Sequence, residues 1–450
     1  MGFARRDITP PFGIYARLWG AADHDASEGT HRPLSTTAMA IEQTDCDQPL
    51  LLVSIDSACI GDLAGGEERY VREGVFQGLG ISEDHLMIVV THTHASPWPA
   101  RSRSDLPGGD LIAPYLEQLR AAVLDACEEA ISTMQDATLT LKQGRCNLAT
   151  NRDMPDPAHD KDRFITGYNP DAPADDTLMV GRITRNVDDQ IIGTVVNYAC
   201  HPTTLAWDNK LISPDYIGAM RELVEHHTGG APCLFLQGAS GDLAPAYQYV
   251  GDPTVPDSHG RQLGFAVLAT LEAMLPSGHM LAFERVVESG APLAVWRPIP
   301  FDVSTKVMSR SRKLSLPTKD WPPIAELEGQ MATCTDRFAQ ERLFRKLQMV
   351  RAMDDSGHMP STIWVWRLGK TLFVGHQNEA YSVFQQTLRE AFPDYGVVAM
   401  NCANYSAVGY LVPEELADED LYTAWQTPFG RKALGIVTQS CLDSMKEVTK

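Results

Sequence analysis

Long apolar runs are missing from this chain: no stretch approaches the ~20 residues that cross a bilayer. Basic residues are scarce as well. Lys and Arg number 38 against 58 Asp and Glu, a formal net charge of −20 with a pI near 5.0. That balance argues against a nucleic-acid partner, which needs clustered Lys and Arg, and it disfavours stable association with anionic membranes. The nine cysteines contain no Cys-x-x-Cys pair, so reduced, mostly buried thiols in a cytoplasmic protein are expected. Cys59, Cys200 and Cys402 have no ligand spacing and read as core residues. Arg5 and Arg6 are followed by no apolar stretch, so no secretory signal is expected. No Gly/Ser linker, low-complexity tract or internal repeat divides the 450 residues. One catalytic unit over residues 1–450 is therefore expected, with a small-molecule substrate. The sequence leaves the oligomeric state open, a homo-oligomer included.

What is present is a set of apolar, strand-like runs that end in metal-type residues. Leu86–Val90 runs into Thr91-His92-Thr93-His94, and 191–196 into Asn197-Tyr198-Ala199-Cys200-His201-Pro202. Residues 234–236 open onto Gln237-Gly238-Ala239-Ser240-Gly241-Asp242, and 371–374 onto Gly375-His376-Gln377-Asn378-Glu379. Further strands are expected at 38–41, 50–55 and 397–400. Apolar spacing predicts helices at 115–134, 217–228, 259–275, 379–391 and 431–447, and a charge-patterned helix or helix pair over 324–354. The Asp-, Pro- and Gly-rich stretch 153–176 reads as a long loop, a site wall or lid. Alternating strands and helices predict an α/β fold, a mixed β-sheet core flanked by helices, with the site at the C-terminal ends of strands.

If the strand stays extended through His92 and His94, both imidazoles share one face. One could bind a metal while the other stands beside its water. Pro202 restricts His201 to extended backbone, and neutral imidazole is a preferred zinc ligand. Asp56 and Asp215 are candidate acceptors that orient these histidines. Glu379 is expected where strand gives way to a helix N-terminus, a place that favours a carboxylate even without metal.

Taken in order, these segments resemble the neutral ceramidase family, in its N-terminal catalytic domain. Asp7-Ile8-Thr9-Pro10-Pro11 is similar to the family's opening, and Val53-Ser54-Ile55-Asp56 to its first inner strand. Thr91–His94 and Asn197–Thr203 resemble its two histidine motifs. Ser213–Gly218, Gly241–Pro245 and Gly409-Tyr410 with Tyr422 follow in the same order. The resemblance implies one zinc ion per chain, held by His92, His201, Glu379 and Tyr410. It makes His94 the general base or acid beside a zinc-activated water, and Arg152 and Tyr422 the groups that meet the substrate oxygen. The implied reaction is hydrolysis of an amide or ester, cyclic amides and lactones included.

Two departures steer the substrate away from ceramide. Ala244 stands where ceramidases carry a serine, and the chain is expected to lack their C-terminal immunoglobulin-like domain. A small polar substrate is the better expectation, and Arg101 or Arg103 after His94 could pair with its carboxylate or phosphate. Two other readings compete. One is a two-metal amidohydrolase that uses His92 and His94 as paired ligands, disfavoured because few lysines lie near the site segments. The other is a non-catalytic, zinc-containing binding protein of the same fold, disfavoured by the intact His94, Arg152 and Tyr422.

Overall fold

Runs of Val, Ile, Leu and Met that alternate between two buried faces build three four-stranded sheets. The computed structural model describes residues 1–43, 46–159, 163–407 and 409–450. The first sheet pairs Gly2–Asp7, Ser35–Gln43, Cys46–Ile55 and Leu86–Val90 in that order. The second pairs Ala137–Arg145, Thr177–Arg185, Ile191–Tyr198 and Cys233–Gln237. The third pairs Val307–Pro317, His358–Leu368, Thr371–His376 and Gly396–Met400. In each, the first three strands form an antiparallel meander and the fourth joins parallel to the third. A helix bridges the parallel pair each time: Glu67–Leu79, Tyr216–His227 and Ser382–Ala391.

This threefold repetition of topology has no counterpart as a repeat in the sequence. A buried sheet needs only apolar residues at alternating positions, and different residues can supply them. Leu52, Met87 and Val89 from the first sheet meet Val195, Leu234 and Leu236 from the second and Trp366, Phe373 and Val398 from the third. The three inner faces thus enclose one central core. The opposite faces pack on helices, as Leu51, Val53 and Ile88 do on Leu116, Leu119 and Val123 of the helix Ile112–Ser132. Polar ties lock the sheets together. Ser54 Oγ donates to Phe235 O (2.6 Å), Asn197 Nδ2 to Ala399 O (2.8 Å), and Asn404 Oδ1 accepts from Ile88 N (2.9 Å).

The α/β expectation holds, and the helices fall close to their expected places. The 324–354 stretch is a pair, Ile324–Thr333 and Arg337–Ala352, with Asp336 capping the second through Ala339 N. Strands at the sheet edges, such as Ala137–Arg145, are half-buried and carry polar residues, so the sequence signals them weakly. The stretch 153–176 is not all loop, since Asp153–Pro155 pairs with Phe164–Thr166. A hairpin, His279–Glu288 with Pro292–Pro300, leaves Phe283 and Trp296 exposed. Glu379 does not begin a helix. With Ala380 it forms a short parallel strand beside Tyr410–Leu411, and the helix starts at Ser382.

Candidate metal centre

Parallel third and fourth strands place two loops side by side at the C-terminal end of every sheet, where open sheets bind ligands. Each sheet uses the pair in the same way, one loop presenting a side chain and the other supporting it. In the first sheet His92 follows the fourth strand, and its Nδ1 lies 2.8 Å from Ala58 O on the loop after the third. In the second, His201 follows the third strand, with Nδ1 2.7 Å from Ser240 O after the fourth. In the third, Glu379 follows the third strand and accepts at Oε1 from the Tyr405 hydroxyl after the fourth.

The chain does not stay extended through the His-x-His motif. His92 has φ +68°, a left-handed conformation that costs a non-glycine residue on the order of 1 kcal/mol. Shared strand alternation is therefore not what brings the two rings together. The turn at His92 does so, leaving the ring centroids of His92 and His94 4.9 Å apart.

A carbonyl oxygen can only accept, so Ala58 O and Ser240 O hold a proton on each Nδ1 and turn each Nε2 inward. Both Nε2 atoms lie 3.2 Å from the same Glu379 Oε2. Burial, reinforced by Arg152, pushes His201 down to about 3, so its ring stays neutral. The neutral His201 ring faces a carboxylate oxygen with its Nε2 lone pair, a contact that a cation between them would make favourable. Zinc with bonds of about 2.0–2.1 Å in tetrahedral array separates its ligand atoms by about 3.3 Å. The donor set therefore fits zinc in both type and spacing. The buried phenol of Tyr410 completes this wall, its ring centroid 6.3 Å from that of His201. Burial and the nearby Glu379 charge raise its pKa well above the usual phenol value, so a Tyr410 phenolate would need a cation beside it.

His94 is the other imidazole of the cluster. Nitrogens of His92, His94 and His201 all lie within 4.8 Å of one another, so a three-histidine arrangement shares the same space. The His94 Nε2 atom is buried without a hydrogen-bond partner, and its ring packs 5.4 Å from that of Trp19. Burial, with His92 and His201 nearby, lowers its pKa well below the usual imidazole value. Arg152 is 3% exposed. It donates from Nε and Nη2 to Gly241 O (3.0 and 2.7 Å), and its Cζ stands 5.5 Å from the Tyr410 ring centre. The Tyr422 ring lies 5.8 Å from that of Tyr410. His94, Arg152, Tyr410 and Tyr422 all line one cavity of about 450 Å3. A smaller space of about 90 Å3 adds His92 and Glu379 to the wall.

Other expected participants sit elsewhere. Asp56 orients neither histidine, since its Oδ2 accepts from Ser35 N and from Arg221 Nη2 at 2.8 and 2.7 Å. Asp215 caps the helix Tyr216–His227 and accepts from Leu205 N. Asp242 serves a distant helix start, accepting from Ser382 N and Oγ at 2.7 and 2.6 Å. Arg103 is consumed internally by a bidentate pair with Glu341 (2.9 and 3.0 Å), and Arg101 stacks on Tyr70. Ala244 is buried in a short strand beside Ala149–Asn151 and is not part of either cavity wall.

A family model described as neutral/alkaline non-lysosomal ceramidase, N-terminal, matches residues 1–248, over half of the 450 residues. The chain belongs to the neutral/alkaline non-lysosomal ceramidase family. That family is one of hydrolases. The ceramidase-like fold extends over nearly the whole chain. Neutral ceramidase from Pseudomonas aeruginosa superposes with a TM-score of 0.71 at 16% identity, covering 99% of this chain and 74% of that one. A ceramidase complexed with C2 gives the same score and identity, with 99% and 75% covered. At that identity the likeness concerns the fold. No curated protein matches the chain.

Within this ceramidase-family frame, sequence reasoning did not assign three parts of the site. The supporting groups of His92 and His201 are backbone carbonyls, which every residue possesses, so no side-chain signal marks Ala58 or Ser240. Tyr405 lies in a segment whose tyrosines read as core or rim. Trp19 lies outside every motif, eight residues past the opening segment Asp7–Pro11. Among the described residues, no helix is long and apolar enough to cross a membrane.

Proposed function

We propose that this ceramidase-family chain is a zinc-dependent hydrolase, a single catalytic unit over residues 1–450 that cleaves an amide or ester bond, cyclic forms included, of a small polar substrate. The observation that carries the reading is the pair of buried imidazole Nε2 atoms, each 3.2 Å from the same oxygen of Glu379. His92, His201, Glu379 and Tyr410 would hold one ion. When bound there, zinc supplies a Lewis acid that polarises a carbonyl and makes hydroxide accessible near neutral pH.

The chain's own groups divide the remaining work. His94, unpartnered at Nε2 and open to the cavity, is placed to take a proton from the attacking water and return it to the leaving amine or alcohol. Arg152 is fixed by Gly241 O, so its guanidinium meets the developing oxyanion without reorganising, and the Tyr422 hydroxyl is the second donor. All nine cysteines are free, seven of them buried, which supports a reducing, cytoplasmic setting.

Elemental analysis of the purified protein tests this reading. About one zinc per folded chain is expected, His92→Ala should lose it, and His94→Ala should keep it while losing turnover. Loss of metal from His94→Ala would favour the three-histidine arrangement. Two ions per chain would favour a dinuclear amidohydrolase, and full turnover without metal would overturn the proposal.

A further inference from the structure

The charge-patterned helix Arg337–Ala352 takes no part in the chemistry proposed above, yet it forms one wall of the cavity that leads to it. Arg342, Arg345, Lys346 and Met349 line that cavity together with His94, Arg152 and Tyr422. Their spacing of three and four residues puts them on one helical face. Glu341 is the single carboxylate among the described residues of that wall. It is shared between Arg103 at 2.9 and 3.0 Å and Arg345 Nε at 2.9 Å, so this trio keeps one net positive charge. Arg342 and Lys346 make no ion pair among the described residues. Arg342 instead stacks 5.2 Å from the ring centre of Trp425, which orders it in advance of binding. In a chain of net charge −20, such a concentration of cations at one cavity is a local reversal of sign.

Arg345 connects this wall to the reacting centre. It lines the inner space that also holds His92, Glu379 and Tyr422; burial raises the Tyr422 phenol, and the nearby Arg345 and Arg152 charges oppose that rise. Its Nε serves Glu341 and its Nη2 reaches Leu18 O at 3.5 Å. Nη1 is left without a protein acceptor among the described residues. Trp19, Trp321 and Trp425 supply an aromatic surface in the same cavity.

We propose that the substrate is an anion: an amide or ester whose carboxylate or phosphate is held by Arg345, with Arg342 and Lys346 at the entrance and its uncharged body against Trp19, Trp321 and Trp425. The idea rests on the hydrolase reading above and names the substrate class for it. A guanidinium fork matches either kind of anion, and charge-assisted bonds of this type are strong enough to select between charged and neutral analogues.

The test compares three 4-nitrophenyl esters on the zinc-loaded protein: neutral hexanoate, the half-ester of adipic acid, and 4-phosphonobutanoate. At least one anionic ester should exceed hexanoate in kcat/KM by about tenfold or more, the carboxylate and phosphonate arms showing which anion is preferred. The ratio should fall as NaCl is raised, because partly exposed charges are screened. It should also fall toward one in Arg345→Gln and in the double variant Arg342→Gln/Lys346→Gln, whose exposed positions keep the test usable if Arg345→Gln misfolds. Equal rates for all three esters, or a ratio unmoved by the double variant, would overturn the proposal while leaving the hydrolase reading intact. If no ester is turned over, the hydrolase reading fails, and calorimetric binding of adipate then decides the anion site alone. Weaker binding in the double variant supports it. Unchanged affinity sinks it.

Discussion

Tyr405 donates its hydroxyl to Oε1 of Glu379, so the carboxylate that faces His92 and His201 through Oε2 is gripped from behind by a residue of the neighbouring loop. The same grip explains how one acid can sit beside two imidazoles without rotating away. Removing it should loosen the metal while leaving every proposed ligand in place. Tyr405→Phe is expected to weaken zinc affinity by roughly 10–100-fold, the usual effect of losing an outer partner. Competition with a chromogenic chelator measures this, and an affinity equal to wild type would rule out the positioning role.

The buried pair of Asp56 and Arg221 is structural. Their side chains are 0% and 7% exposed, with Oδ2 and Nη2 2.7 Å apart. Asp56→Asn would leave the guanidinium buried without its counter-charge, at a cost of about 3–5 kcal/mol. Urea denaturation should show that loss, whereas zinc content per folded chain should stay near one. A folded Asp56→Asn protein devoid of zinc would return Asp56 to the metal site.

Asp242 joins the loop after the second sheet to the start of the helix Ser382–Ala391, only three residues past Glu379. Asp242→Ala removes both bonds from that helix start and should cost about 1–2 kcal/mol, as lost N-caps do. A thermal melt of the zinc-loaded protein reads the change. No shift in midpoint would show that the cap is dispensable.

Glu341 offers a pH test. Burial alone would raise its carboxyl, but Arg345 and Arg103 outweigh that and hold it at about 2. An unfolded glutamate titrates near ~4.3. The folded value is the lower one, so the ion pairs stabilise fully above ~4.3 and their contribution is lost as pH falls toward 2. Glu341→Gln should therefore be less stable than wild type by roughly 2–3 kcal/mol at pH 7, with the gap narrowing steadily below ~4.3. Denaturant midpoints at pH 7 and at pH 3 check this, and a constant gap would contradict it.

Much of the frame was legible because the strands that carry the site are buried on both faces. Leu86–Val90, Ile191–Tyr198 and Thr371–His376 therefore read as continuous apolar runs, and the polar residues after them stood out. Edge strands such as Ala137–Arg145 mix polar and apolar residues and gave no such contrast. His92, His201 and Glu379 do converge, but not by the expected route. The left-handed turn at His92 has no glycine or asparagine to announce it. The support of both histidines comes from main-chain oxygens, and Arg345 belongs to a helix that the sequence marked only as charge-patterned. Local pattern marked where side chains leave the strands. Which of them meet depended on how three sheets with unrelated sequences pack around one core.

That packing makes the centre a property of the finished chain. His92, His201 and Glu379 are contributed by three different sheets, and neither the first 200 residues nor the last 200 bring all three together. If the proposed ion binds there, it would find its complete set of donors only after the last sheet has emerged and docked, so metal capture would follow the packing of all three sheets. Reopening any one sheet would then remove one of the proposed donors.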